Sequence, residues 1–181
     1  MFADLIRNRR SIRRFKDRPV APEKIDLLLE AALRAPSSRG FNPWEFVVVD
    51  DAALLQKLAR CKPHGARFLA RAPLGIVVCA DPARSDVWIE DCSIAVTYIQ
   101  LMATALDLGS CWIQIRQREQ ENGDPARDAV TRHLGLPRRL EVEAIVAIGD
   151  PDESKSGHAH ETLLYERVHR NGFGTPYGVD R

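Results

Sequence analysis

The chain has 181 residues, of which 45% are hydrophobic and 28% are charged, and its formal net charge is +1. This composition is that of a globular domain large enough to bury a core, and the near-neutral charge argues against a protein built around nucleic acid. The longest apolar stretch, 92–108, is interrupted by Gln100 and Asp107, so it falls short of the roughly 20 residues that a membrane span needs.

The cysteines and the N-terminus indicate the cellular environment. The four cysteines show no CxxC pair and no metal-ligand spacing, which is typical of reduced, mostly buried thiols. No apolar segment of a signal peptide opens the chain. We therefore expect a cytoplasmic protein with neither a membrane nor a nucleic-acid partner, organised as a single domain over residues 1–181.

Apolar periodicity predicts alternating helices and strands along the chain. A short first helix is followed by a helix that Pro22 begins. A long central helix over 87–108 has Gly109 in the C-cap position, and Gly135 and Pro137 end the last helix. Strands are predicted at 45–49, 74–79, 111–115 and 142–148, and further helices at 52–60 and from 124–125 to about 134.

Two segments carry the residues suited to ligand chemistry. The basic segment Arg9–Phe15, RRSIRRF, offers several guanidinium groups and a hydroxyl, and such charge-assisted donors suit a phosphate. The loop Ala35–Trp44, APSSRGFNPW, offers small polar groups and backbone that can approach a flat ligand. Since an amphipathic helix lies between them, the two segments can lie at opposite ends of one rigid element. Together they predict a nucleotide or flavin site.

Each segment also has an ordinary structural interpretation. Arginine clusters are more often solvated faces or nucleic-acid patches than cofactor sites. A Pro-Ser-Ser loop occurs in many helix-to-strand connections. The two segments together, in this order and at this separation, are much more specific than either one.

The order and spacing of these residues resemble the FMN-dependent nitroreductase family. Members open with a helix ending in Arg-(Arg/His)-Ser-x-(Arg/Lys)-x-Phe, followed by a second helix, a Pro-Ser-Ser-x-Asn-x-Gln-Pro-Trp loop and a strand. The chain departs from this pattern at Gly40, where Asn is usual, and at Asn42, where Gln is usual. It matches at Arg9, Arg10, Ser11, Arg13, Phe15, Pro36, Ser37, Ser38, Pro43 and Trp44.

The resemblance implies both a fold and an activity. The expected fold is α+β, a three-layer sandwich in which a central, mostly antiparallel sheet is flanked by helices. The expected activity is that of an oxidoreductase with bound FMN and NAD(P)H as co-substrate, passing reducing equivalents through flavin N5 to a small organic acceptor by a ping-pong mechanism. No catalytic nucleophile or general base is expected, because the cofactor carries the electrons.

The resemblance also assigns the cofactor-binding residues. Arg13 would lie beside the N1 and O2 edge of the flavin and tune it, and Pro36 to Ser38 would come from a partner subunit. Arg67 is a candidate substitute for an Asn that many members place against the pyrimidine. The full set implied for FMN comprises Arg9, Arg10, Ser11, Arg13, Pro36, Ser37, Ser38, Asn42, Gln114, Ile115, Lys155 and His160.

The last stretch, 163–181, is unusual for a compact domain. Tyr165, Val168, Phe173 and Tyr177 follow neither a helical nor a strand period. Disordered termini rarely carry so many aromatic residues, so we expect this tail to pack on something beyond its own domain. The resemblance implies that the tail embraces a second subunit in a homodimer with FMN at the interface.

Several alternatives stay open. Lys155, His158 and His160 lie within six positions, and a His-x-His pair can bind zinc or copper, although no convergent third ligand is evident. Gln114 and Ile115 could belong to an ordinary buried strand. A flavin sensor or storage protein without turnover, or a basic nucleic-acid-binding module, would keep some of the same residues. The sequence distinguishes neither the acceptor nor NADH from NADPH.

Overall fold

A computed structural model describes residues 1–178 of the chain. Its centre is a four-stranded antiparallel sheet in the order β1-β2-β4-β3. The strands are β1 (Trp44–Val49), β2 (Leu74–Ala80), β3 (Gly109–Gln114) and β4 (Glu141–Gly149), and the helices are α1 (Phe2–Asn8), α2 (Pro22–Leu33), α3 (Ala52–Leu58), α4 (Trp88–Ala105) and α5 (Ala126–Leu134).

Helices cover both faces of the sheet. One face packs with Leu28 of α2 and with Ile99 and Val96 of α4, and the other packs with Leu55 of α3 and Val130 of α5. The two central strands are therefore buried on both sides, and every residue of β2 is buried. This explains why β2 is a continuous apolar run rather than an alternating one. The prediction of an α+β three-layer sandwich is confirmed.

Local signals set most of the element boundaries. Pro22 occupies the first turn of α2, where its missing N–H costs nothing. The Asp51 carboxylate accepts a hydrogen bond from Leu54 N at 2.7 Å and caps α3, as short acidic side chains do at helix N-termini. Gly135 ends α5 in the left-handed conformation, with φ of 65°.

The prediction for the end of the central helix is wrong. It places the C-cap at Gly109, but α4 ends at Ala105 and Asp107 makes the left-handed turn, with φ of 59°. Gly109 is instead the first residue of β3. A Cβ added there would lie 2.7 Å from Ile12 Cγ2, so the glycine is required because the N-terminal segment packs directly against it.

Between β4 and residue 178 the chain forms no long regular element. Two three-residue 3₁₀ turns, His160–Thr162 and Tyr165–Arg167, interrupt it. Tyr165, Phe173 and Tyr177 remain 49%, 96% and 47% exposed, so their rings are not buried within this chain. The predicted tail covers 163–181, of which residues 179–181 lie outside the described residues.

None of the helices within residues 1–178 combines the length and the apolar character that crossing a membrane requires.

Candidate functional site

The N-terminal segment 9–15 lies as an extended arm beside the free edge of β3. Ile12 N donates a hydrogen bond to Ser110 O at 3.0 Å, and Ser11 forms a parallel bridge with Ser110. Ile12 and Phe15 are buried in the core while Arg13 and Arg14 are exposed. Two apolar anchors thus hold the arm in place, with the Arg13 and Arg14 side chains on its outer side.

The loop after β4 holds this arm through its charged side chains. Lys155 Nζ donates to Ser11 O at 2.8 Å and pairs with Glu153 at 3.0 Å. Glu153 Oε1 accepts the backbone N–H of Arg13 at 2.5 Å and that of Arg14 at 3.3 Å. These backbone hydrogen bonds, with the Lys155 contact, hold the pKa of Glu153 below its ordinary value.

Contacts of Ser156 and Gly157 with the N-terminal segment complete the attachment of the loop after β4. Arg10 Nη1 donates to Ser156 O. A Cβ added at Gly157 would lie 2.1 Å from Arg7 O, so only glycine fits there without a shift of the backbone. The arm and the loop after β4 are consequently held as one unit, although Ser11 and Lys155 lie 144 positions apart in the sequence.

Four predicted site residues converge beside Cys111 of β3. Burial raises the pKa of the Cys111 thiol, and the opposing influences are, in order, the Arg13 charge, a Ser11 hydrogen bond, and the Lys155 and Arg9 charges. Arg13 also places its guanidinium 5.8 Å from the centre of the Phe68 ring. Three cations and a hydroxyl therefore all influence the one Cys111 thiol, and donors of these kinds suit a phosphate-bearing ligand.

β3 ends at Gln114, and Ile115 follows directly after it. Lys62 Nζ donates to Gln114 O at 2.8 Å, and Ile115 N donates to Glu143 O at 3.1 Å. The Gln114 side chain accepts from Trp112 Nε1 at 2.8 Å and donates to Glu143 Oε1 at 3.2 Å. These main-chain groups and the Gln114 amide thus already have partners within the chain.

The loop 36–42 is held by a different network, at the start of α4. The Asp91 carboxylate accepts Ser38 N at 2.8 Å and Ser85 Oγ at 3.0 Å. Ser37 Oγ accepts Asn42 N at 3.0 Å and donates to Asn42 Oδ1 at 2.6 Å. The amide oxygen of Asn42 is therefore engaged inside its own loop.

The backbone of this loop is unusual. Arg39, Gly40 and Asn42 have φ of 52°, 68° and 47°. Non-glycine residues in the left-handed region are strained and persist where surrounding contacts hold them, often at functional sites. The Ser37 and Asp91 contacts supply that support here.

The N-terminal arm 9–15 and the loop 36–42 lie at opposite ends of α4. Ser38 contacts Asp91 in the first turn of the helix, whereas Ile12 packs on Gly109 just beyond its end. The helix has 18 residues, so its ends lie about 27 Å apart at 1.5 Å per residue. A single chain therefore does not bring Pro36, Ser37 and Ser38 next to Arg9, Ser11 and Arg13.

The remaining predicted residues are spread over two places. His160 lies in an exposed 3₁₀ turn just before the tail, and its Nε2 is 3.4 Å from Tyr165 Oη. Arg67 lines a cavity beside Arg13 and Phe68. In the part of the chain that the structure describes, no group of three or more His, Cys, Asp or Glu side chains could hold a metal ion.

Sequence reasoning missed three residues that position the site, namely Lys62, Asp91 and Glu153. Each acts through a backbone group far along the chain, so no local motif reveals it. One sequence signal could have identified Asp91, namely a charged residue inside an apolar stretch with no partner at i, i+4. Asp91 is indeed 2% exposed. Buried charges are rare unless they accept or donate hydrogen bonds.

The fold and the converging cations define an α+β protein with a cluster of cations at the β3 edge of its sheet. The Nitroreductase family model matches residues 6–62 and 60–150. The chain belongs to the nitroreductase family.

Individual relatives agree with this assignment. The solved FMN-dependent nitroreductase from Clostridium difficile R20291 is 48% identical, with a TM-score of 0.92, over 93% of this chain and 98% of that one. An Archaeoglobus fulgidus protein with a provisional NADH dehydrogenase/NAD(P)H nitroreductase name is 37% identical over 92% of this chain and 95% of its own length. A Desulfovibrio desulfuricans structure, provisionally described as a nitroreductase and solved with FMN, is 28% identical with a TM-score of 0.75, covering 95% and 97% of the two chains.

Proposed function

We propose that this protein is an FMN-dependent oxidoreductase that uses NAD(P)H to reduce a small organic acceptor such as a nitroaromatic or a quinone. The observation that carries the proposal is the convergence of Arg9, Ser11, Arg13 and Lys155 beside β3. The names of the relatives support the cofactor and the electron donor. When bound, FMN would supply the redox chemistry between the nicotinamide and the acceptor, and the protein would supply binding and orientation.

The residues present fit the phosphate and ribityl parts of FMN. Among residues 1–178 no carboxylate forms an ion pair with Arg9, so its guanidinium is available to a phosphate, which it can bind in a bidentate manner. Lys155 is half-buried and oriented by Ser11 O and Glu153. Ser11 supplies a hydroxyl on the same side. This donor cluster has the size that the one phosphate of FMN requires, and the relatives whose flavin is named carry FMN.

Arg13 has a different role in the proposal. Its backbone N–H is held by Glu153, and its guanidinium lies over Phe68, so its position is determined from two sides. A fixed cation in a partly dry pocket stabilises negative charge that develops next to it. We assign to Arg13 the stabilisation of charge at the pyrimidine edge of the reduced flavin.

The proposed active unit is a homodimer with one site at each side of its interface. The arm 9–15 and the loop 36–42 lie at opposite ends of α4. If two copies of α4 packed antiparallel, the arm of one subunit would therefore lie beside Pro36, Ser37 and Ser38 of the other. A two-fold axis between them would generate two equivalent sites.

Exposed apolar surface supports this assembly. Phe2 and Ile6 of α1 are 64% and 56% exposed, and Tyr98 on α4 is 40% exposed. Phe2 and Tyr98 line an apolar groove of about 300 Å³ together with Leu5 and Met102. Contiguous exposed apolar surface of this kind commonly marks a protein–protein interface, and the aromatic residues of the tail offer a complementary surface.

The test starts with the purified protein as expressed. It should be yellow and release FMN, not FAD, on denaturation. Anaerobic mixing with NADPH or NADH should bleach the flavin, and a nitroaromatic or quinone should restore the colour. Initial-rate plots should give the parallel lines of a ping-pong mechanism.

The two alternatives to an enzyme give different results. A colourless protein that takes up no added FMN would refute the proposal. A yellow protein whose flavin neither nicotinamide reduces would indicate a flavin sensor or storage protein instead.

A further inference from the structure

A basic cavity lies next to the flavin site that we propose. Its volume is about 780 Å³, and it lies between the end of α3, the 3₁₀ turn Arg67–Arg71 and the loop at 120–122. Arg60, Lys62, Arg67 and Arg71 line it, and Glu121 is the one acidic residue on its wall. A cavity of this volume is in the range of small-molecule sites.

The cations of this cavity have almost no partners of their own. Within the described range, 1–178, neither Arg60 nor Arg71 forms an ion pair or a side-chain hydrogen bond. Burial, together with the nearby Arg118 charge, lowers the pKa of Lys62. Like charges collected around one concave surface raise the local potential and favour an anionic ligand.

The cavity continues towards the proposed flavin. A second cavity of about 410 Å³ is lined by Arg13, Phe68 and Asp152 and shares Arg67 and Arg71 with the first. Lys62 reaches from the basic cavity to Gln114 O at the end of β3. A ligand bound in the first cavity can therefore extend from Arg71 to Arg13 without leaving basic surface.

We propose that this basic cavity binds the 2′-phosphate of NADPH, so that the enzyme prefers NADPH to NADH. The inference rests on the proposed function and names its electron donor. The two nicotinamides differ by one phosphate, which carries about −1.5 to −2 charge near pH 7. Arg60 and Arg71 can each offer that phosphate paired N–H donors, while Arg67 and Lys62 are placed to line the path to the ring.

The first measurement is a comparison of kcat/KM for NADPH and NADH at constant ionic strength. The FMN-loaded wild type should favour NADPH by at least about tenfold, the ratio expected when a charge-assisted contact is lost. The double variant Arg60→Ala/Arg71→Ala should bring that ratio close to one while its kcat/KM for NADH stays within about twofold. Arg34→Ala is the control, because Arg34 is the exposed C-cap residue of α2, on the other face of the sheet, and it should leave the ratio unchanged.

A second measurement does not depend on turnover. Calorimetric titration with adenosine 2′,5′-bisphosphate should show binding to the wild type and to Arg34→Ala, but not to the double variant. Adenosine 5′-monophosphate should bind to none of the three. Thermal melts should give the same Tm for the wild type and the double variant, because Arg60 and Arg71 are exposed and form no ion pair among residues 1–178.

The results that would overturn the inference differ from those that would overturn the proposed function. A yellow enzyme that both nicotinamides reduce equally well keeps the function and refutes the 2′-phosphate site. An equal loss of kcat/KM for NADPH and for NADH in the double variant would also refute the 2′-phosphate site. So would displacement of the bisphosphate by equimolar inorganic phosphate, since each result would indicate a general anion-binding surface. A colourless protein refutes the proposed function itself.

Discussion

The Asp91 carboxylate accepts the backbone N–H of Ser38 at a distance of 2.8 Å and the Ser85 hydroxyl at 3.0 Å. Asp91 is 2% exposed and lies in the first turn of α4, where the helix dipole stabilises a negative charge. This one side chain joins the loop that we place against the partner's flavin to the central helix. The loop is thereby ordered before any ligand binds.

Asp91→Ala should release this loop. It leaves Ser38 N–H and the Ser85 hydroxyl without their acceptor, which costs about 1–3 kcal/mol when such groups are buried. For a chain of this size, that loss corresponds to a decrease in Tm of about 2–4 °C per kcal/mol. Affinity for FMN should fall as well, because the loop must then be ordered on binding.

The measurements are a thermal melt without FMN and a fluorescence titration with FMN. Asp26→Ala is the control, since Asp26 is an exposed acidic residue of α2 with no side-chain partner among residues 1–178. A variant of Asp91 that melts at a lower temperature but binds FMN normally would show that the loop does not contact the cofactor.

Arg9→Ala and Arg13→Ala should separate binding from electronic tuning. Arg9→Ala removes a charge-assisted phosphate contact of roughly 1.5–3 kcal/mol, so the Kd for FMN should rise by about 10- to 150-fold. With FMN saturating, its reduction by NAD(P)H should return nearly to the wild-type rate. Arg13→Ala should stay slow even at saturation and should lower the flavin midpoint potential, because it removes the cation proposed beside the pyrimidine edge.

Anaerobic titration of both variants against a reference dye measures the two potentials. Wild-type potentials in both variants would mean that Arg13 does not face the pyrimidine edge, whatever their affinities for FMN.

Glu143 of β4 should make stability depend on pH. The residue is 3% exposed, and burial raises the pKa of its carboxyl against the opposing Gln114 hydrogen bond and the Arg116 charge. A carboxyl whose pKa is higher in the folded chain stays protonated there to a higher pH than in the unfolded chain. The free energy of unfolding therefore falls as the pH rises from 4.5 through the folded-state pKa. Glu143→Gln should lack this fall and should melt at a higher temperature than wild type above that window.

Melting curves recorded from pH 4 to 8 would test this prediction. A gain of about 1 kcal/mol appears as an increase of about 2–4 °C in Tm, and the two proteins should converge at the acid end. Glu119→Gln, at an exposed position without an ion pair among residues 1–178, should follow the wild type. Parallel curves for wild type and Glu143→Gln would contradict the prediction.

Removing the tail 163–181 should give a monomeric or insoluble protein that does not retain flavin. The expected loss is large, because a buried aromatic side chain replaced by a small one costs about 3–5 kcal/mol. Light scattering after size-exclusion chromatography gives the assembly state, and the absorbance of the same peak gives the bound flavin. A truncated protein that stays dimeric and yellow would show that the tail is dispensable.

A single substitution sharpens this test. Phe173 is 96% exposed in one chain, so Phe173→Ala should not change the stability of a monomer. A weaker dimer in Phe173→Ala would therefore report burial of this ring by the second subunit, whereas an unchanged dimer would place Phe173 outside the interface.

Much of the fold follows from local sequence. Pro22, Asp51 and Gly135 begin or end helices through their own backbone preferences, and apolar spacing distinguishes the buried strands from the helices that cover them. The cation cluster could also be predicted from the sequence, because Arg9, Ser11 and Arg13 lie within five positions of one another. Such signals depend on neighbours in sequence, so the sequence alone is sufficient to determine them.

The tertiary structure decided the features that join distant segments. Gly109 looks like a helix cap in sequence, but its role is set by the Ile12 side chain that packs on it. Lys62 reaches Gln114 and Asp91 reaches Ser38 across about 50 positions. The placement of the arm and the loop at opposite ends of α4 likewise emerges only once the helix is packed on the sheet. Hydrogen bonds and close contacts of this kind are set by which surfaces meet in space, and no period or spacing along the chain records that.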